Sequence, residues 1–251
     1  MATSTRHERI SVMGTVVTVD LFGDDEHSDA LLAEAEQSLR AADELFSLWK
    51  PESPFSRIRR GALTIDDTPE VLRRVLDECR PLVPLSDGWF DPWSLPGGVD
   101  VTGYVKGWAA ERAADILATG SFVGLIVNAA GDIATRGRDE DGEQFRVGIV
   151  SPTAPQTLAA AITLDGAVAT SGSYERGAHL YNPKARHFGT KAASASVTGP
   201  NLGVADALAT AVVCGGLAAL EVVREIPHYE AMVTLYDETV HATEGFPFVG
   251  D

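Results

Sequence analysis

The stretch Val99 to Leu117, VDVTGYVKGWAAERAADIL, carries residue types suited to holding a phosphate. Asp100 and a Thr-Gly turn precede Lys106-Gly107, where a helical pattern starts; Val105, Trp108, Ala109, Ala113, Ile116 and Leu117 recur at helical spacing. A lysine in the first turn of such a helix adds a cation where unpaired amides already favour anions. The alternative is an ordinary amphipathic helix with Asp100 as its cap and Lys106 solvated, since short Gly/Lys motifs often arise by accident.

Three further groups offer chemistry. Asp206 and Thr210, four apart in GVADALATAVVCGG, share one face of a short helix. A carboxylate and a hydroxyl there are hard oxygen ligands for Mg²⁺; equally, Asp206 caps the helix and Thr210 bonds back to the preceding turn. In TSGSYERGAHLYNP, Ser171-Gly172-Ser173 lets a backbone approach a ligand, and His179 is either a general base for a hydroxyl nucleophile or a structural histidine. Trp49, Trp89, Phe90, Trp93 and Tyr181 are either core or a stacking set for a planar heterocycle, several of them lying in Pro/Gly loops.

The elements that must position these groups follow from periodicity. Ile10 to Phe22 reads as one strand interrupted at Met13-Gly14-Thr15, and Asp29 to Phe46 as a helix buried through Leu32, Ala35, Leu39, Ala42 and Phe46. Phe46 to Ile58 is a Pro/Ser-rich connection. Thr68-Pro69-Glu70 starts a helix that ends near Arg80, before Pro81 and Pro84. Strands are expected at Phe122–Val127, Phe145–Val150, Leu158–Leu164, Ala167–Tyr174 and Ala193–Thr198. Helices are expected at Ala205–Cys214 and Leu217–Arg224, with a closing hairpin of Ala231–Tyr236 and Thr239–Thr243.

Composition narrows the classes. The chain has 251 residues, 45% hydrophobic and 22% charged, with a formal charge of -16, which argues against nucleic acid or anionic membrane as partner. An anionic ligand then needs local cations. Cys79 and Cys214 sit in apolar helical patterns and read as buried free thiols of a reducing compartment. The N-terminal stretch has no apolar signal core, and no apolar run reaches the ~20 residues of a membrane span. A cytoplasmic protein is the expectation.

Taken in order, Met13-Gly14-Thr15, FSLWKPESPFSRI, WFDP, DVTGYVKGWAAERA, VNAAGD, TSGSYER, HLYNP and ADALATA resemble the ApbE family, the FAD:protein FMN transferases, from about Ser11 to Phe246. The resemblance implies one α+β domain over residues 1–251, with a T-fold-related, two-lobed architecture of mixed or antiparallel sheets with packed helices. The flavin would lie in the inter-lobe cleft. It implies that Met13 and Trp49 contact or cover the isoalloxazine, that Trp89, Phe90 and Asp91 line the adenine side, and that Tyr181 lies against the adenosine. Asp100 and Lys106 match nucleotide contacts, Lys106 facing the pyrophosphate. Asp206, Thr210 and the Gly103 and Ala209 carbonyls match metal contacts, and His179 matches the base that activates an acceptor hydroxyl.

The implied reaction is Mg²⁺-dependent transfer of FMN from FAD to a threonine or serine of a target flavoprotein, with release of AMP. An FAD pyrophosphatase and a non-catalytic FAD-binding protein are the alternatives. Five positions depart from the family pattern: Arg59, Trp93, Ala130, Asn182 and Arg186 stand where other residues are usual. They bear on turnover, metal number and acceptor choice more than on flavin binding.

Overall fold

Strand pairing begins at the N-terminal end of the computed structural model, which describes residues 5–172 and 180–250. There β1 (Thr5–Val12) and β2 (Thr15–Phe22) form a hairpin. The expected single strand is thus two strands. Met13 and Gly14 both take positive φ, 54° and 69°, which is the backbone of a two-residue turn matched to strand twist. α1 (Ser28–Phe46) buries the expected face. α2 (Pro54–Arg59) forms inside the Pro/Ser-rich connection, because Ser53 accepts from the Ser56 amide at 3.0 Å and Pro54 opens the helix. α3 (Glu70–Cys79) ends where expected, although Pro69 stands just outside its first turn and Pro84 falls within the one-turn α4 (Leu82–Leu85).

α5 (Thr102–Leu117) leads to β3 (Gly124–Ala129) and β4 (Asp132–Gly137). The strand β4 was not anticipated. Its first residue is a carboxylate, and Ala130-Gly131, again both at positive φ, closes a second tight hairpin in front of it. β5 (Phe145–Val150) and β6 (Leu158–Leu164) pair as expected, followed by β7 (Ala167–Gly172), β8 (Tyr181–Asn182), β9 (His187–Phe188) and β10 (Ser194–Gly199). α6 (Leu202–Gly215) starts three residues earlier than its apolar pattern, at an Asn201 cap whose side chain accepts from the Val204 amide. α7 (Leu217–Arg224), β11 (Glu230–Thr234) and β12 (Val240–Ala242) complete the described chain.

Eight strands form one antiparallel sheet in the order β1-β2-β3-β4-β7-β10-β11-β12. The helices pack on one face over a large core, and the β5–β6 hairpin covers part of the other through Ile133, Val147, Ile149, Ile162, Leu164 and Val168. This is the expected α+β arrangement of antiparallel strands and packed helices. Registers bring the Met13-Gly14 turn, the Ala130-Gly131 turn and the C-terminal end of β7 to the same edge. Among the described residues no helix is long and apolar enough to cross a membrane. Cys79 and Cys214 are free and buried, and burial pushes both thiols up to about 12.

α5 crosses α6 at glycine. A Cβ on Gly107 would lie 2.5 Å from the Leu202 carbonyl oxygen, and one on Gly203 would meet the Tyr104 ring at 2.9 Å. The buried Glu111 of α5 accepts from the Leu202 amide at 3.0 Å, so the neighbouring helix supplies part of the N-terminal capping of α6. Replacing Gly107 by Ala therefore wedges backbone against backbone. We expect a loss of about 1–3 kcal/mol, read from urea unfolding midpoints, although the same change in an isolated helix would be favourable.

Asp25 fastens the β2–α1 turn to the segment before β3 by accepting from the Ser121 amide at 2.7 Å and hydroxyl at 2.6 Å. These donors, with the His27 amide, hold its carboxyl at about 2, below the usual 3.8. Because the folded pKa is depressed, the stabilisation is present above the unfolded value and disappears as pH falls through the folded one. Asp25→Asn should accordingly melt below the parent protein at pH 6, and the two melting temperatures should converge near pH 2.

Candidate active site

Lys106 occupies the second turn of α5, one turn later than expected, because the helix already begins at Thr102. Asp100 does act at the helix entrance. Its Oδ1 accepts from the Thr102 amide at 2.9 Å and hydroxyl at 2.7 Å. Its Oδ2 takes a hydrogen bond from Arg59 at 3.1 Å, and Arg59 also donates to the Val99 carbonyl. The unusual residue at position 59 thus seats the Val99-Asp100 segment on α2.

From α5 the Lys106 ammonium donates to Asp132, the first residue of β4, whose side chain is 0% exposed. The other Asp132 oxygen accepts from the Thr170 amide at 3.2 Å, tying β4 to β7. Asp206 lies across the helix crossing, 3% exposed, and accepts from the Gly107 amide at 3.1 Å. Burial pushes its carboxyl above the usual range, while the Lys106 charge and the Gly107 amide oppose that rise. Asp206 is therefore no helix cap; Asn201 does that work. Nor is Thr210 spent on its own helix, since its hydroxyl lies 3.2 Å from that of Ser171.

Gly103 completes the local frame. Its ψ of 16° departs from helical geometry, which tilts its carbonyl off the regular ladder, and a Cβ there would come within 2.8 Å of Thr210 Oγ1. Opposite lies a cleft to which six expected site residues contribute: Phe90, Asp91, Asp100, Gly103, Tyr181 and Thr210. Trp89 is buried beside it, with the Lys184 and Lys191 ammonium groups 4.4 and 4.9 Å from its ring centre. Met13 packs partly buried at the sheet edge, Ala209 is buried within α6, and Trp49 stands 87% exposed after α1. His179 and Ser173 fall outside the described residues.

Asp132 and Ser171 are the groups that residue-by-residue reading undervalued. Asp132 ends the VNAAGD motif, and a buried carboxylate after a tight turn becomes meaningful only once Lys106 is found opposite it.

The donor chemistry fits a hard divalent cation. Asp206 offers carboxylate oxygen, Thr210 hydroxyl oxygen and Gly103 a displaced carbonyl, the set suited to an ion that keeps water and phosphate in its remaining positions. Among the described residues no three His, Cys, Asp or Glu side chains cluster to hold a metal by themselves. Among the described residues Asp132 bonds the Lys106 ammonium, and the buried Asp206 lies within reach of the same charge.

A two-helix crossing over an antiparallel sheet, with oxygen donors and a lysine near a cleft lined by Phe90 and Tyr181, is a site suited to an anionic ligand and a hard cation. The ApbE family profile matches residues 13–97 and 93–233, and the chain belongs to that family. It is 30% identical over 129 residues to the FAD:protein FMN transferase of Vibrio cholerae serotype O1; this alignment covers 47% of the chain and only 39% of that relative. The fold matches the flavin transferase ApbE of Vibrio cholerae with a TM-score of 0.83 at 20% identity, covering 97% of this chain and 98% of the other. It matches the apo flavinyl transferase ApbE of Pseudomonas stutzeri with a TM-score of 0.85 at 20% identity, covering 100% and 99%.

Lys106→Met should leave two buried carboxylates without their cation and cost roughly 3–5 kcal/mol. Adding Asp132→Asn should recover part of that loss. A denaturation double-mutant cycle checks this, and additive losses would mean that the two side chains are not coupled.

Proposed function

We propose that this chain transfers FMN from FAD to a threonine or serine hydroxyl of a target flavoprotein and releases AMP, with Mg²⁺ in the site. The observation that carries this reading is the placement of Lys106, Asp206 and Thr210 around one helix crossing beside the aromatic cleft.

Each part of the chain has a distinct task in this reaction. Lys106, oriented by Asp132, faces the FAD diphosphate and offsets its charge. Asp206, Thr210 and the Gly103 carbonyl hold the cation, with the Ala209 carbonyl as a further contact. Mg²⁺, when bound there, supplies charge neutralisation for the diphosphate and for the departing phosphate of AMP. Phe90, Asp91 and Tyr181 orient the nucleotide, Asp100 fixes the entrance to α5, and Met13 and Trp49 contact the flavin ring. His179, assigned from the family resemblance, takes the proton of the acceptor hydroxyl. The hydroxyl oxygen attacks the FMN phosphorus, its bond to the AMP phosphate oxygen breaks, and a phosphoester-linked flavin and AMP result.

Burial favours this chemistry in a specific way. A carboxylate held out of water at Asp206, with one backbone amide and one nearby ammonium, gains more from an incoming divalent ion than an exposed one would. The ion and the diphosphate then compensate each other in the same confined volume.

The test is to incubate the protein with FAD, Mg²⁺ and candidate acceptor flavoproteins, following AMP, free FMN and in-gel flavin fluorescence. Fluorescent acceptor with stoichiometric AMP is expected. Free FMN and AMP without labelled acceptor would replace the reading by a pyrophosphatase, and unchanged FAD would replace it by a binding protein. Asp206→Ala should lower metal-dependent AMP release by about 100-fold or more, the scale of losing a transition-state charge stabiliser. Undiminished release from that variant would remove Asp206 from the metal site.

A further inference from the structure

Acidic residues outnumber basic ones across the chain, 36 against 20, yet Leu180 to Ala205 contains no Asp or Glu and carries Lys184, Arg186 and Lys191. The structure gathers these cations around the small β8–β9 hairpin. Residues 184 to 188 and Lys191 are all exposed. Lys184 is paired with Asp87 at 2.6 Å, but neither Arg186 nor Lys191 has an ion-pair partner among the described residues.

The hairpin is anchored rather than loosely hung. Asn182, another of the departures from the family pattern, is 2% exposed; it donates to the Cys214 carbonyl at 2.8 Å and accepts from the Ala185 amide at 3.0 Å. The Arg186 amide donates to the Asn182 carbonyl at 2.8 Å, which holds Arg186 at a φ of 56°. Phe188 is half exposed and meets Tyr181 edge-on, with ring centres 5.4 Å apart. Tyr181 in turn lines the cleft. A firm basic platform with an exposed aromatic ring therefore adjoins the cleft at Tyr181.

We propose that the β8–β9 hairpin, with Lys191, is the surface on which the acceptor protein docks, and that it takes a segment carrying acidic and apolar side chains next to the acceptor hydroxyl. The proposal rests on the FMN-transferase reading. Charge selects the partner: Arg186 and Lys191, without ion-pair partners among the described residues of an otherwise acidic molecule, attract an acidic segment and steer its approach. The exposed Phe188 ring beside them suits a polypeptide better than a free nucleotide, whose diphosphate already has Lys106.

The probe is a fluorescein-labelled peptide with a central threonine flanked by aspartates and a leucine, compared with a copy bearing lysines for the aspartates. With FAD-saturated protein and Mg²⁺, anisotropy should give about tenfold tighter binding of the acidic peptide, an advantage that shrinks as salt is raised. The variant Arg186→Glu should abolish the preference while leaving FAD affinity unchanged. Equal binding of the acidic peptide by variant and parent overturns the proposal, as does a variant that loses FAD affinity instead. Failure of the underlying reading looks different, because the unmutated protein would then attach no flavin to any acceptor flavoprotein, whether or not AMP is released.

Discussion

One ammonium group between two buried carboxylates, at the point where two helices touch through glycine, is the constraint on which this structure turns. Lys106 reaches Asp132 from α5 onto β4, and it influences Asp206 because α5 and α6 approach closely enough for the Gly107 amide to bond Asp206. Side chains at 107 or 203 would separate the helices and pull Thr210 away from Gly103. A buried carboxylate with too little positive charge is costly in isolation. The fold tolerates it because the same packing that buries Asp206 also brings the Gly107 amide and the Lys106 charge to it.

The sheet contributes the second half of that arrangement. Side chains alternate across it, so Asp132 and Ala134 on β4 share the helix-facing side with Ala167, Ala169 and Ser171 on β7. Ile133 and Val168, one residue out of phase, belong to the opposite core under the β5–β6 hairpin. A slip of one residue in either strand would turn Asp132 or Ser171 away from α5 and α6. The two tight hairpin turns at Met13-Gly14 and Ala130-Gly131 resist such a slip, since each fixes the register of the strands it joins.

Much of this was legible in the residues. Helical periodicity located α1, α3, α5 and α7, and of the pair Asp206 and Thr210, Thr210 lines the cleft while Asp206 is buried against α5. What escaped was whatever depends on a partner far away in the chain. The hairpin turn at Met13 was hidden because methionine seldom adopts positive φ, and β4 because it opens on a carboxylate whose reason to be buried lies 26 positions upstream in Lys106. The departures at Arg59 and Asn182 read as losses in sequence, yet each holds a segment bordering the cleft.

The overall charge of -16 opposes, at long range, a substrate that carries a diphosphate. Screening decides how far that objection reaches: at physiological ionic strength the Debye length is about 8 Å, so exposed carboxylates on distant helices contribute little at the cleft. In the proposed reaction Lys106 and a cation would act at close range in a largely buried site, where each charge counts for far more than one in solvent. An acidic exterior is thus compatible with an anion-binding interior, provided the positive charge is local and the surrounding carboxylates are already committed. Asp132 is bonded to Lys106 and Thr170, and Asp100 to Thr102 and Arg59, so neither is left to repel the phosphate at full strength. Asp206, buried with one amide and one nearby ammonium, is the carboxylate on which a divalent ion would act in the proposed reaction.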